Sequence, residues 1–193
     1  MKTQSFIAFA TLSCTLFLAG FSAPPSTPPT KKINVKQNQA LIKQGEYLVG
    51  IMGCNDCHSP KTMGPNGPQV VPDKVLSGYP AGRPLPALNP AAQKDWVLFN
   101  GDNTAAVGPW GVSFAANLTS DATGIGNWSE EQFKMALKQG KSKGLASNRM
   151  LLPPMPWTNY RTIKDEDVKA IFAYLKSTKP VANVVPAPMP PSH

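Results

Sequence analysis

Cys54-Asn55-Asp56-Cys57-His58 is the stretch on which the reading of this chain turns. Two thiols with two residues between them project from one turn, and an imidazole follows at the next position. Such thiols can add to two vinyl groups on one porphyrin edge, which leaves the imidazole beneath the ring as an iron ligand. The spacing is the attachment signal of a c-type haem. Three other uses of paired cysteines compete with it: a redox dithiol, half of a zinc site and a structural disulfide. A dithiol oxidoreductase is expected to carry a strand before the motif, inside a βαβ unit. A zinc site needs two further ligands, and His193 is the only other histidine. Haem is the reading preferred, with Cys54 and Cys57 as thioethers and His58 as the proximal ligand.

Composition agrees with a cofactor at the centre. The 21 Pro and 15 Gly imply much loop, so a bound ring would supply core that the side chains lack. Three cysteines exclude a disulfide scaffold. The formal charge of +8 is spread along the chain, with no Lys/Arg run longer than Lys31-Lys32, so nucleic acid is not an expected partner. No phosphate-binding glycine loop, nucleophile elbow or zinc-protease histidine pair occurs.

Outward from the motif, three helices are expected. Asn38 to Gly50 carries Leu41, Ile42, Leu48 and Val49 near one face. Ser129 and Gln132 have capping-box spacing, Phe133, Ala136 and Leu137 line a face, and Gly140 stands at the C-cap position. From Asp165 to Ser177, Val168, Ile171, Phe172 and Leu175 follow helical spacing, and Asp165, Glu166 and Asp167 suit a helix N-terminus. Between Ser59 and Trp128 no strand alternation stands out. The expected fold is therefore all-α, with long irregular loops around one haem.

The boundaries follow. Residues 1–23 read as a signal peptide: Lys2, an apolar run from Phe6 to Phe21, then Ser22-Ala23. Retention of the run as an N-terminal anchor and lipidation at Cys14 are the alternatives. All three place the body outside the cytoplasm, in the periplasm for a bacterium, with a membrane tether in two of them. Residues 24–36 are a Pro-rich linker, 37–179 the folded domain, and 180–193 a Pro-rich tail.

Helix, CxxCH, irregular loop, methionine loop and amphipathic last helix together resemble class I cytochromes c over about residues 40–180. Asn117-Leu118-Thr119-Ser120-Asp121, then Thr123-Gly124-Ile125-Gly126-Asn127-Trp128 through Phe133, is similar to the NLTPD…TGIG.W…F segment of cytochrome subunits in bacterial membrane-bound alcohol and gluconate dehydrogenases. Leu152-Pro153-Pro154-Met155-Pro156-Trp157-Thr158-Asn159-Tyr160 resembles their YPAMPY..Y loop. The resemblance implies an electron-transfer protein, not itself an enzyme, with one covalent haem c, iron held by His58 and Met155, and redox proteins as partners. The chain departs from the family in its single CxxCH, where those subunits carry several, and in Lys164, where a capping Thr is usual. Two other functions stay open: a haem-bearing subunit of a dehydrogenase or oxidase complex, and a haem peroxidase if Met155 does not bind iron.

Among the seven methionines, position along the chain leaves Met150 and Met155 as distal candidates. Pro154 and Pro156 stiffen the backbone around Met155 and favour it. Trp110, Trp128 and Trp157 read as aromatics packed on the ring or in the core, and Arg83 as an exposed loop residue. Asn117-Leu118-Thr119 matches a glycosylation sequon, discounted for a bacterial chain. The basic balance implies docking to an acidic face on the partner.

Overall fold

The computed structural model describes residues 35–87 and 96–191. Among the described residues there are four α-helices, α1 (Val35–Ile51), α2 (Cys54–His58), α3 (Glu130–Gln139) and α4 (Asp165–Ser177), and all but α2 supply the apolar core. The longer three lie where apolar periodicity places them. In α3 the capping box is formed: Gln132 N–H donates to Ser129 Oγ at 3.1 Å, and Ser129 N–H donates to Gln132 Oε1 at 3.2 Å. Gly140 ends that helix at φ +66°, a conformation that favours glycine. Lys164 gives α4 no side-chain cap, and three acidic residues stand in its first turn instead.

The core is Val49 of α1, Phe133 and Leu137 of α3, and Val168, Ile171 and Leu175 of α4, closed by Leu76 and Ile125 from the intervening loops. Helices α1 and α4 meet at Gly45. A Cβ there would run into the Ala170 carbonyl and stand 2.7 Å from Tyr174 Cβ. Only a residue without a side chain lets the two backbones approach so closely.

The expectation of an all-α fold fails. Among the described residues five strands form two antiparallel sheets: β1 (Lys61–Gly64) with β2 (Gly67–Val70), and β3 (Leu98–Phe99), β4 (Ala105–Gly108) and β5 (Gly111–Phe114) in that order. Two of the three hairpins, β1–β2 and β4–β5, turn over two residues held between glycines, Pro65-Asn66 between Gly64 and Gly67 and Pro109-Trp110 between Gly108 and Gly111. The strands are at most four residues long, and β4 is buried throughout, so neither sheet shows a clear alternation of apolar and polar residues.

The loops between hairpins are tied, not slack. Gly78 N–H donates to the His58 carbonyl at 2.8 Å, Tyr79 N–H to Ala115 O at 2.9 Å, and Leu118 N–H to Leu76 O at 2.8 Å. Residues 181–189 run back along the body. Asn183 Nδ2 donates to Ser77 O and Tyr79 O, and Met189 pairs its backbone with Val112. The proposed signal segment 1–23 with Cys14, most of the linker and His193 lie outside the described residues. Among the described residues no helix is long and apolar enough to cross a membrane.

Gly45→Val should force α1 and α4 apart, because its new atoms meet backbone rather than a side chain that can rotate away. Overpacking of this kind costs about 1–3 kcal/mol or more. Thermal unfolding followed by circular dichroism should show a lowered midpoint, and an unchanged midpoint would contradict the packing described.

Candidate functional site

Gly53, at φ +68°, turns the chain out of α1 and into the short helix α2 that carries both cysteines and the histidine. The thiols are free and half-buried. Burial pushes the Cys54 thiol up to about 11, with Asp56 and Cys57 adding to the shift against a lowering backbone hydrogen bond. Burial raises Cys57 as well, partly opposed by the positive charge of Lys61. Reactive dithiols sit in surroundings that lower the thiol pKa. This turn does the reverse, which argues against the redox-dithiol reading. Among the described residues no group of three or more His, Cys, Asp or Glu side chains converges as a metal site.

Among the described residues one bond holds the His58 ring. Its Nδ1 lies 2.7 Å from the carbonyl of Ala116, 58 residues along the chain. A carbonyl can only accept, so Nδ1 carries the proton and Nε2 keeps a free lone pair. Burial lowers the pKa of His58, with the Ala116 bond opposing, and the ring is neutral at pH 7. A neutral imidazole with a fixed tautomer and one free nitrogen is the form that ligates a metal. That arrangement, with two uncommitted thiols on the same turn, fits attachment of a haem.

Met155 rests half-buried against the same core cluster as Cys54, Met52, Trp128 and Tyr160. Its loop is fixed on the side that precedes the methionine. Ser113 Oγ donates to Pro153 O at 2.6 Å, and Leu151 N–H donates to Gly140 O at 2.6 Å. Beyond the loop, the turn Trp157–Tyr160 packs back: the Tyr160 hydroxyl donates to Met52 O at 3.3 Å. Burial raises the Tyr160 pKa, with further contributions from Cys54 and Cys57. Tyr160 thus links the methionine loop to the cysteine turn, a role that its place in a motif does not disclose. Met150, the other candidate, pairs its backbone with Lys141 and is 40% exposed.

Several residues that stand out in the sequence have other work. Trp128 packs on the core, Trp110 donates to Ser113 Oγ, and Trp157 lies over Gly140 with Arg161 on its face. Asn117 is buried at 5% exposure, and its amide spans two segments: Nδ2 donates to Val181 O, and Oδ1 accepts from the Thr119 amide and hydroxyl. Its amide nitrogen is committed to the fold. Arg83 is not a free loop residue, since it pairs with Asp102 at 2.6 Å. Asp102, 6% exposed, also accepts from Thr104, Asn100 and the Lys61 amide. Burial raises its pKa, but the bonds from Thr104, Arg83 and Lys61 outweigh that, and the net shift is downward.

No protein-family model matches the chain. Curated relatives do. The gluconate 2-dehydrogenase cytochrome c subunit of Pantoea cypripedii is 31% identical over 147 residues, 75% of this chain and 25% of that protein. The fructose dehydrogenase cytochrome subunit of Gluconobacter japonicus is 29% identical over 172 residues, 88% of this chain and 28% of its own length. The cytochrome c subunit of the quinone-dependent alcohol dehydrogenase of Gluconobacter oxydans is 28% identical over 147 residues, 75% of this chain and 23% of that protein. The chain therefore spans about a quarter of the length of these relatives. The resemblance read from the NLTSD and PPMPW segments is borne out.

Asp102→Asn should destabilise the protein at pH 7 by about 2 kcal/mol, the scale of a lost hydrogen bond to a charged group. The native carboxyl titrates below its ordinary value, so its contribution is complete above that ordinary value and lost as pH falls through the native one. Denaturant midpoints of the two proteins should converge below about pH 4. A gap that persists unchanged into acid would exclude the charge as its cause.

Proposed function

We propose that this relative of dehydrogenase cytochrome c subunits carries one electron at a time on a single haem c. Cys54 and Cys57 hold the group covalently, His58 is the proximal ligand through Nε2, and Met155 is the distal ligand. When bound, the haem supplies an iron that cycles between ferric and ferrous states, and no substrate atom moves. The chain's own part is to fix the imidazole, bury the ring and fill the sixth position. The observation that carries this reading is His58 itself, with its Nδ1 committed to Ala116 and its Nε2 free, on a turn bearing both thiols. Support for Met155 over Met150 comes from its place against the core on which Cys54 also packs, where Met150 is 40% exposed.

Work outside the cytoplasm follows from the signal-like N-terminus and from the chemistry of covalent haem attachment. A dehydrogenase complex is the favoured setting, because the relatives are named as subunits of dehydrogenases.

The partner's docking face is acidic. Between Glu131 and Asp165 the chain has no acidic residue and seven basic ones: Lys134, Lys138, Lys141, Lys143, Arg149, Arg161 and Lys164. This is the segment that holds Met155. Lys134 and Lys138 are spent on Asp165, whereas Lys143, Arg149, Arg161 and Lys164 are exposed. Electron-transfer rates with an acidic redox protein should fall as salt rises, and Arg149→Glu with Lys143→Glu should flatten that dependence. Rates indifferent to salt would contradict this docking.

The ligand assignment is tested by substitution. Met155→Ala should leave the haem attached, lower its potential and let added carbon monoxide or cyanide bind readily. Met150→Ala should leave the spectrum and potential of the parent. The reverse pattern would transfer the distal role to Met150. Ready binding of carbon monoxide by the parent protein, with turnover of peroxide, would favour a peroxidase.

A further inference from the structure

Lys61 stands three residues beyond His58, at the start of β1, and does more than begin a strand. Its ammonium donates to four backbone carbonyls: Asp56 O at 2.6 Å, Ser59 O at 3.1 Å, Asp102 O at 3.1 Å and Asn55 O at 3.3 Å. Two of these, Asn55 and Asp56, belong to the final turn of α2, where the Asn55 carbonyl also accepts from the Ser59 amide at 3.3 Å and the last carbonyls lack intrahelical partners. An ammonium there also faces the negative end of the helix. The backbone amide of Lys61 donates to the Asp102 carboxylate at 3.3 Å, so Asp102 grips the residue from both ends. Asp102 is itself held by Arg83, Asn100 and Thr104. A lysine chain on a free surface would wave in solvent. This one is held by the fold, and among the described residues no carboxylate oxygen is bonded to its ammonium.

We propose that Lys61 is a positioning residue for the haem-bearing turn: it ties Asn55, Asp56 and Ser59 to the Asp102 loop and lays a fixed positive charge beside the attachment edge. The inference rests on the haem reading above. Two consequences separate it from plain scaffolding. A turn held in one orientation presents both thiols to the vinyls, so attachment proceeds efficiently. A cation fixed beside the cysteine turn, where its charge is felt at Cys57, would favour the ferrous over the more positive ferric state of a haem held there. The Asp102 carboxylate is already neutralised by Arg83, and so leaves much of that field intact.

The test uses the full chain, purified with its haem. Lys61→Met keeps the apolar stem and removes charge and donors. Lys61→Gln removes the charge but keeps an amide donor. Lys61→Arg keeps the charge. Both neutral variants should shift the reduction equilibrium toward ferric by roughly three- to tenfold, while Lys61→Arg stays near the parent. Lys61→Met should also lower the fraction of chains that keep haem colour through acid–organic extraction, and the folded helical content should be retained. A parent-like potential in the neutral variants would overturn the proposal. So would failure of both to fold, which would make Lys61 a scaffold residue alone. A parent protein that yields no covalent haem at all would instead strike the underlying reading, a result visible before any variant is made.

Discussion

The hydrogen bond from His58 Nδ1 to the carbonyl of Ala116 ties the CxxCH turn to a loop 58 residues further along the chain. It fixes the tautomer that the site needs, and it can do so only if residues 115–118 are themselves held still. The loop from Leu76 to Tyr79 provides that restraint, because it bonds in both directions. Gly78 donates to the His58 carbonyl, Tyr79 donates to Ala115 O, and Leu76 accepts from Leu118. The segment that positions the imidazole is thus bonded to the residue it positions. Leu76 adopts φ +59° to make this crossing and is fully buried in the core. A non-glycine residue in that region is costly in isolation. Here the packing of a buried leucine offsets the cost.

Asn117 extends the same logic outward. An asparagine offers two donors and an acceptor with two lone pairs. Its oxygen closes a turn onto Thr119, and its nitrogen reaches the Val181 carbonyl. Thr119 in turn accepts from the Val181 amide. The returning tail then brings Asn183 against Ser77, Tyr79 and Ala81, under the loop that braces His58. Burying a polar side chain without partners is expensive, and Asn117 is buried because its partners include backbone groups of a segment far away in sequence.

What can be read from the sequence, and what cannot, divides along the same line. Helices α1, α3 and α4 are local: a capping box at Ser129, a glycine at 140 and an apolar stripe from Val168 to Leu175 are visible within a dozen residues. The CxxCH motif is local too, and so is the PPMPW loop. The sheets escape such a reading because their signal is short. Pro109-Trp110 between two glycines says turn, but Ala105-Ala106-Val107 is a small apolar run that could equally sit in a loop. The Asn66-Gly67 pair is a hairpin signal, yet it does not stand out amid so much Gly and Pro. Gly45 gives no sign of its role, since close approach to Ala170 is a property of two helices together. Lys61 and Tyr160 are invisible as well, because carbonyls that accept from a lysine, or a backbone oxygen that meets a phenol, leave no residue-type signature.

The charge distribution shows how an average can conceal a pattern. A net charge of +8 over 193 residues looks scattered when counted by runs of lysine and arginine. Counted by the absence of acids, it is concentrated on the methionine loop and its flanks. Two of those cations are drawn in by Asp165, whose carboxyl is held down to about 2 by the bonds from Lys134 and Lys138. That pairing sits at the first turn of α4, where the carboxylate also meets the helix N-terminus, so α3 and α4 are joined without spending the exposed cations nearest Met155. The segment that carries Met155, the proposed distal ligand, therefore also carries four exposed cations and no acid. A long-range field of that kind orients an approaching protein before contact is made. In this chain one segment, from Lys134 to Lys164, combines two proposed roles: it carries Met155 as the proposed distal ligand, and its exposed cations would meet a partner of opposite sign.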